Sequence, residues 1–160
     1  MVVFAKRILM AMIRFHQEGK YMKLVVFNVG SALCVYAEHQ TTRIVFDIGK
    51  GNNFSPVNDF LLPLYEKRGE HRLKNRNNRY GISQLIVSHP HKDHISDIQE
   101  FDKNFYAHLL TTPNSKSPNG NPQNINWRKI TTPDDPDVKY LKRMLNSTCK
   151  CNRILINNLF

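Results

Sequence analysis

The 160-residue chain is 41% hydrophobic and 22% charged, as expected for a globular domain with a core of its own. No apolar stretch is long enough to span a bilayer as a helix, which excludes an integral membrane protein. The formal net charge of +10 fits attraction to nucleic acid or another polyanion, and fits equally a fragment separated from an acidic partner segment. Cys34, Cys149 and Cys151 are too few, and odd in number, for a disulfide framework, so we expect a reducing compartment, the cytoplasm.

A domain is expected over residues 22–160, and residues 1–21 precede it as a segment of different character. Basic residues interrupt their apolar run and no small-residue cleavage site follows, which argues against a signal peptide. The codons of Gln17-Glu18-Gly19 can form a purine-rich stretch of the kind that recruits bacterial ribosomes. One hypothesis is therefore that translation begins at Met22 and that the preceding residues are a non-native extension. The alternative is a short amphipathic helix packed on the domain.

Three short strands are predicted after Met22, over residues 24–29, 33–37 and 43–46. Each is rich in β-branched and aromatic residues, and polar turns separate them. Short connections of this kind predict an antiparallel meander.

A helix is predicted over residues 56–67, with Ser55 capping its start and Pro63 kinking it. The segment that follows, residues 66–79, has no hydrophobic periodicity and is predicted to be a loop. It is strongly basic, and as it leads into the next strand it is a candidate to guide a phosphate backbone. The residues that would do so are Lys67, Arg68, Arg72, Lys74, Arg76 and Arg79. The alternative is a solvated loop, since aromatic residues interleaved for base stacking are absent.

The second half of the chain alternates strands and helices. A buried strand is predicted over residues 83–87, and a helix after it from the helical spacing of four apolar residues, Ile95, Ile98, Phe101 and Phe105. Residues 111–124 have the composition of a loop. A helix over residues 136–146, capped by Asp135, and a strand over residues 153–156 complete the prediction.

The strongest chemical signal is His89-Pro90-His91-Lys92-Asp93-His94, directly after the strand predicted over 83–87. Four potential metal ligands lie within six residues, and imidazole with carboxylate suits one or two Zn²⁺ ions, or manganese or iron. His89 and His91, two residues apart, can converge on one ion, while Asp93 and His94 can face a second. Two such ions would share a hydroxide and activate it for attack. The alternative is a polar loop that contains three histidines by chance.

This motif resembles the signature of the metallo-β-lactamase superfamily. Residues 27–30, Phe-Asn-Val-Gly, are similar to the opening strand of its DNA-uptake (competence) hydrolase branch. Residues 44–49, Ile-Val-Phe-Asp-Ile-Gly, resemble the strand that ends in the structural aspartate of that family. The resemblance covers residues 22 to about 105, and the order of the three segments makes it more specific than the histidine motif alone.

The resemblance implies a role for each matching residue. His89 and His91 would bind a first metal, and Asp93 and His94 a second. Asp93 would also be the catalytic residue that orients the water or shuttles a proton. Asp47 would fix the metal loop through hydrogen bonds; the alternative is a simple turn aspartate.

The implied fold is of the α/β (α+β) class, an αββα sandwich of two sheets with helices on both outer faces. The further ligands of the family come from later in the chain, and neither His108 nor Asp134, Asp135 and Asp137 match those motifs. Ser31-Ala32-Leu33 and Ser96-Asp97 also depart from the family's pattern. We therefore expect the N-terminal half of the fold, a truncated copy.

The expected function is metal-dependent hydrolysis by a metal-bound hydroxide, on a small molecule, a phosphodiester or a nucleic acid, with weak or no activity. The alternative is a non-catalytic module in which the metal is a structural staple and a basic surface binds nucleic acid. A true β-lactamase is disfavoured because that branch is exported.

Overall fold

The structure is a computed structural model and describes residues 11–17, 20–111 and 135–145. Its strands are β1 (Ala11–Gln17), β2 (Lys20–Val26), β3 (Val35–His39), β4 (Thr42–Phe46), β5 (Tyr80–Ile86) and β6 (Phe105–Thr111). Its helices are α1 (Leu62–Lys67), α2 (Lys92–Ile95), α3 (Ile98–Asn104) and α4 (136–145). A π-helical turn (Val57–Leu61) runs directly into α1, and a 3₁₀ turn covers Lys74–Arg76. The described part of the protein is thus a mixed α/β structure.

The six strands form a single sheet in the order of the sequence, β1-β2-β3-β4-β5-β6. The first four are antiparallel neighbours, whereas β5 and β6 each run parallel to the strand before them. The predicted meander is therefore confirmed as β2-β3-β4. Each parallel pair is joined by a helical crossover, as parallel pairing requires.

The segment before Met22 contributes to this sheet. Residues 11–17 form β1, and the pairing of β1 with β2 places Ile13 opposite Leu24 and Phe15 opposite Met22. The alternative of an amphipathic helix is wrong for residues 11–17. Because β2 begins at Lys20, one strand also continues across the boundary expected at residue 22.

One face of the sheet is buried along its central row. Alternate residues of a strand point to the same side of a sheet, and the register aligns five such residues across β2 to β6. All are between 0% and 5% exposed: Val25, Tyr36, Val45, Leu85 and Leu110. This row is the floor of the hydrophobic core.

Aromatic residues of the π turn and α1 cover that floor. The Phe60 ring contacts Phe27 edge-on at a centroid distance of 4.9 Å, and the Tyr65 ring contacts Phe105 in the same way at 5.1 Å. Edge-to-face pairs at these distances stabilise a core beyond simple burial. The π turn and α1 are thereby fixed over the middle of the sheet.

The start of this helical segment follows the prediction. The Ser55 hydroxyl accepts a hydrogen bond from Asn58 N (3.0 Å), as a capping residue does. Pro63 cannot donate a backbone hydrogen bond to the preceding turn. The chain accommodates it with the wider π turn immediately upstream.

The helix predicted from Ile95 to Phe105 is wrong in two respects. It is broken at Ser96-Asp97 into α2 and α3, and Phe105 is the first residue of β6, with φ −126° and ψ 151°. Asn104 Nδ2 donates to Glu100 O (3.0 Å) at the end of α3. That side-chain bond occupies a carbonyl of the last turn where the chain leaves the helix.

Helix α4 occurs where it was predicted. Asp135 Oδ1 accepts from Asp137 N (2.8 Å) at its start, and Val138, Leu141 and Leu145 are at most 2% exposed. Polar contacts join α4 to α3 through Gln99–Asp137 (2.8 Å) and Arg143–Asp102 (2.7 Å). The strand predicted over 153–156 and nearly all of the 111–124 loop lie outside the described residues.

The second face of the sheet is mainly apolar and partly exposed. The register aligns a row across β2 to β6 on this side: Leu24, Ala37, Ile44, Gln84 and Leu109. Leu109 is 39% exposed, and Phe46, two residues from Ile44 and on the same side, is 37% exposed. We call this side the open face.

Within the described ranges, no helix has the length and apolar character needed to cross a membrane.

Candidate metal centre

The loop from His89 to His94, called here the metal loop, follows the C-terminal end of β5, as predicted. The end of β5 is bonded to the chain on both sides, because Asp47 N donates to Ile86 O (2.7 Å) and Val87 N donates to Thr111 O (2.9 Å). Val87 is completely buried, and α2 begins at Lys92. The loop is therefore held between a buried strand and a short helix.

The potential ligands of this loop converge. One ligand atom from each of His89, His91 and Asp93 lies within 4.8 Å of the other two, a spacing that can hold a metal ion. The ring of His94 is close to the same group, with its centroid 3.7 Å from that of His89 and its Nε2 3.4 Å from Asp93 Oδ2. Two to three imidazoles and a carboxylate form the kind of donor set that zinc prefers.

Asp47 lies beneath this cluster and is 1% exposed. Its Oδ1 accepts from Ser88 N (2.7 Å), and its Oδ2 accepts from the Ser88 hydroxyl (2.7 Å) and from His94 Nδ1 (2.8 Å). A carboxylate on Nδ1 fixes the orientation of an imidazole and leaves Nε2 for a metal. This is the contact expected of a residue that orients the loop. Ser88 was not singled out from the sequence, since a lone serine between a strand and a histidine carries no pattern.

Backbone hydrogen bonds tie the metal loop to the segment after β4 and to the segment between β2 and β3. Ile48 N donates to His94 O (2.7 Å), and Leu33 N donates to Asp93 O (3.2 Å). Gly49 lies so close that a Cβ built on it would be 2.0 Å from Asp93 O. No residue other than glycine fits there without displacing Asp93. A glycine following Asp-Ile was the only sequence cue to this approach.

The cluster lies at the surface and is partly open to solvent. The side chain of Asp93 is 46% exposed, whereas that of His94 is 14% exposed. Partial burial lowers the pKa of His89 from its usual value, and the adjacent His94 and His91 lower it further. A neutral imidazole is the form that binds a metal.

The cluster draws its ligands from one loop only. It is the one group of three or more metal-ligating side chains found among the residues whose side chains the structure describes, within 22–111 and 135–145. His108 lies exposed on β6, beside Gly81 and Tyr106, and does not belong to it. Asp135 and Asp137 are engaged at the start of α4, and Asp134 is outside the described residues.

The basic segment of residues 66–79 lies at the other end of β5. It precedes Tyr80, whereas the metal loop follows Ile86, and a strand of this length spans roughly 20 Å. This position gives no support to the expected guidance of a phosphate backbone towards the metal loop.

All four arginines in this segment contact other residues of the protein. Arg68 forms two hydrogen bonds with Glu38, and Arg79 pairs with Asp102 at 2.7 Å. The guanidinium groups of Arg72 and Arg76 lie over the rings of Tyr80 and Tyr106, at 4.3 and 4.5 Å from the centroids. Exposed lysines complete the set, namely Lys67 and Lys74. Binding of nucleic acid by this segment stays a prediction.

No protein-family model matches this chain, and neither the curated proteins nor the solved structures give a significant match to it.

Proposed function

We propose that the protein is a metal-dependent hydrolase, or a truncated copy of one with weak or no activity, whose centre is the loop from His89 to His94. The observation that carries this proposal is the convergence of His89, His91 and Asp93 within 4.8 Å, over a buried aspartate bonded to His94. In a polar loop that contains three histidines by chance, no buried carboxylate is expected to orient one of them.

A zinc-class ion bound at this loop would lower the pKa of a bound water and polarise the bond to be cleaved. The protein's own part is to present the imidazoles of this loop, with that of His94 oriented by Asp47. Asp93 supplies the one carboxylate of the cluster and its side chain is 46% exposed, so it is the group available to position a water or accept its proton. The phosphodiester or nucleic-acid substrate is inferred only from the resemblance and from the charge of +10.

The layering of the molecule supports a metallo-β-lactamase-type fold as part of the same proposal. Helices cover one face of the sheet, and the other face is apolar and partly exposed. A half of an αββα sandwich has this arrangement, because its inner face packs on a second sheet. The described residues contain one sheet, so they correspond at most to the N-terminal half.

Zinc titration of the purified, metal-stripped chain tests the centre. The wild-type chain is expected to bind zinc. Removal of a residue that is hydrogen-bonded to a metal ligand lowers metal affinity ~10–100-fold, and His89→Ala, which removes a ligand itself, is expected to lower it further. His108→Ala removes an exposed histidine outside the cluster and is the matched control. Equal zinc affinity of the wild-type chain and His89→Ala, measured by calorimetry, would overturn the proposal.

The alternative of a non-catalytic staple is favoured by one observation, that all ligands found come from a single loop. Turnover of bis(p-nitrophenyl) phosphate by the zinc-loaded chain distinguishes the two functions. Hydrolysis that requires zinc, and that Asp93→Asn abolishes at a zinc concentration that saturates the variant, supports the enzyme. Zinc that raises the unfolding temperature without any turnover supports the staple.

A further inference from the structure

The Ser88 hydroxyl lies at the meeting point of three groups of the candidate centre. Its Oγ is 2.7 Å from Asp47 Oδ2, 3.0 Å from His89 Nδ1 and 3.2 Å from His94 Nδ1. Ser88 N also donates to the other oxygen of Asp47 (2.7 Å). The serine is thus bonded to the buried carboxylate through both its backbone and its side chain.

The hydroxyl has one hydrogen to donate, and the carboxylate decides where it points. An ionised carboxylate only accepts, so a contact of 2.7 Å between Oγ and Oδ2 requires the serine hydrogen to lie between them. Two bare oxygens at that distance would repel. The lone pairs of Oγ are then left to accept a hydrogen bond.

The two histidines must supply the remaining hydrogens. His94 Nδ1 is 2.8 Å from Asp47 Oδ2, an acceptor, so His94 carries its hydrogen on Nδ1. His89 Nδ1 faces the serine oxygen, whose own hydrogen is already used, so His89 also carries its hydrogen on Nδ1. Both rings then present a bare Nε2.

We propose that Ser88 is a positioning residue that extends the influence of Asp47 from one histidine to two. Asp47 acts on His94 directly and on His89 through the Ser88 hydroxyl, so that one buried carboxylate sets the tautomer of both rings. The importance of this relay for metal binding rests on the proposed function, whereas the positions of the hydrogens do not.

Nitrogen-15 NMR of the histidine rings in the metal-free chain tests the relay, at a pH about two units above the ordinary imidazole value of ~6.5. In the wild-type chain, His89 and His94 are both expected as the Nδ1–H tautomer. Ser88→Ala is expected to move His89 towards the Nε2–H form that free histidine prefers, and to leave His94 unchanged. Ser88→Thr keeps a hydroxyl and is expected to preserve the wild-type signature of His89.

Zinc affinity provides the second readout. Ser88→Ala is expected to weaken binding ~10–100-fold, the range for lost outer partners of a ligand, and Ser88→Thr to restore most of it. A wild-type His89 in the Nε2–H form, or a His89 tautomer unchanged in Ser88→Ala, would overturn the relay, and the wild-type measurement does not depend on any variant folding. The Nδ1–H signature in a chain that binds no zinc would instead refute the proposed function and leave the relay standing.

Discussion

Single residues far apart in the sequence determine the geometry of the metal loop. The motif itself is local, so its ligands could be predicted from spacing alone. Asp47 was expected to support the loop through the resemblance. Ser88 and Gly49 could not be predicted in the same way, because their roles depend on contacts across the sheet that no local pattern records.

Gly49→Ala tests the close approach of the two loops. The added methyl group would meet a backbone oxygen at 2.0 Å and Ala32 Cβ at 2.8 Å, and a backbone cannot rotate aside as a side chain can. We expect a loss of about 1–3 kcal/mol in unfolding free energy, the usual cost of overpacking, together with weaker zinc binding because Asp93 is displaced. Urea unfolding and zinc titration measure the two effects.

Gly51→Ala is the matched control for this variant. Its nearest contacts, with the backbone of Val29, are 3.4–3.5 Å from the added carbon, so they require at most small adjustments. We expect stability to change by less than about 1 kcal/mol, and zinc affinity to stay as in the wild type. Equal destabilisation by the two substitutions would contradict the steric argument.

At the level of elements, strands and helices with regular hydrophobic patterns were predicted well, whereas the points where one element passes into the next were not. The meander, the helix after Ser55, the strand before the metal loop and α4 all have clear periodicity. Phe105 was assigned to a helix because it lies four residues after Phe101, and both are buried. Its amide does donate to Phe101 O, so a helical hydrogen bond persists at a residue whose dihedral angles are already extended. Strand β1 was missed because its segment was set aside as an extension.

Asp97 joins two of these elements and gives a pH-dependent prediction. Its Oδ2 accepts from the Ser55 hydroxyl (2.6 Å) and from Val57 N (3.1 Å), which ties the start of the π turn to the start of α3. Its Oδ1 is buried without a hydrogen-bond partner among the described residues. Burial raises the pKa of Asp97 above its usual value, despite the bonds from Ser55 and Val57 that lower it.

A raised pKa means that the folded chain holds this proton more tightly than the unfolded chain does. The contribution of Asp97 to stability is therefore greatest below the unfolded pKa of ~3.9 and is lost as the pH rises through the folded pKa. Asp97→Asn cannot lose a proton and keeps an acceptor for Ser55 and Val57. We expect the stability of the wild-type chain relative to Asp97→Asn to fall as the pH rises from ~4 upwards, as measured by urea unfolding. A difference that is constant or rises over this range would refute the assignment.

Asp97→Ala is the control for the hydrogen bonds themselves. It removes the acceptor at every pH, and we expect it to lose about 1–3 kcal/mol of unfolding free energy throughout the range, since a buried donor is left without a partner. If Asp97→Ala is as stable as Asp97→Asn at neutral pH, the tie between the π turn and α3 contributes nothing.

At the scale of the whole molecule, the net charge of +10 predicts non-specific attraction to polyanions. Several arginines of residues 66–79 are engaged with Glu38, Asp102 and two tyrosine rings, so the exposed Lys67 and Lys74 are the cations that we expect to meet a phosphate backbone there.

Fluorescence anisotropy with a labelled DNA duplex tests this expectation. Binding is expected to weaken steeply between about 50 and 200 mM salt, and the double variant Lys67→Gln/Lys74→Gln to show a salt dependence shallower by about two units. His89→Ala is the control, since the metal loop lies at the other end of β5. Equal loss of binding in His89→Ala would place the contact at the metal loop instead.

The bond between Asp47 and His94 joins residues 47 positions apart, and a backbone bond from Ile48 N to His94 O joins the same two segments. These two segments meet only in the folded chain, because α1 and β5 separate them in the sequence. The denatured chain therefore lacks the assembled centre. An ion that binds this centre consequently raises the free energy of unfolding by RT ln(1 + [ion]/Kd). A peptide of residues 84–97 contains every ligand of the loop but lacks Asp47 and Ile48. We expect it to bind the ion far more weakly than the intact chain does.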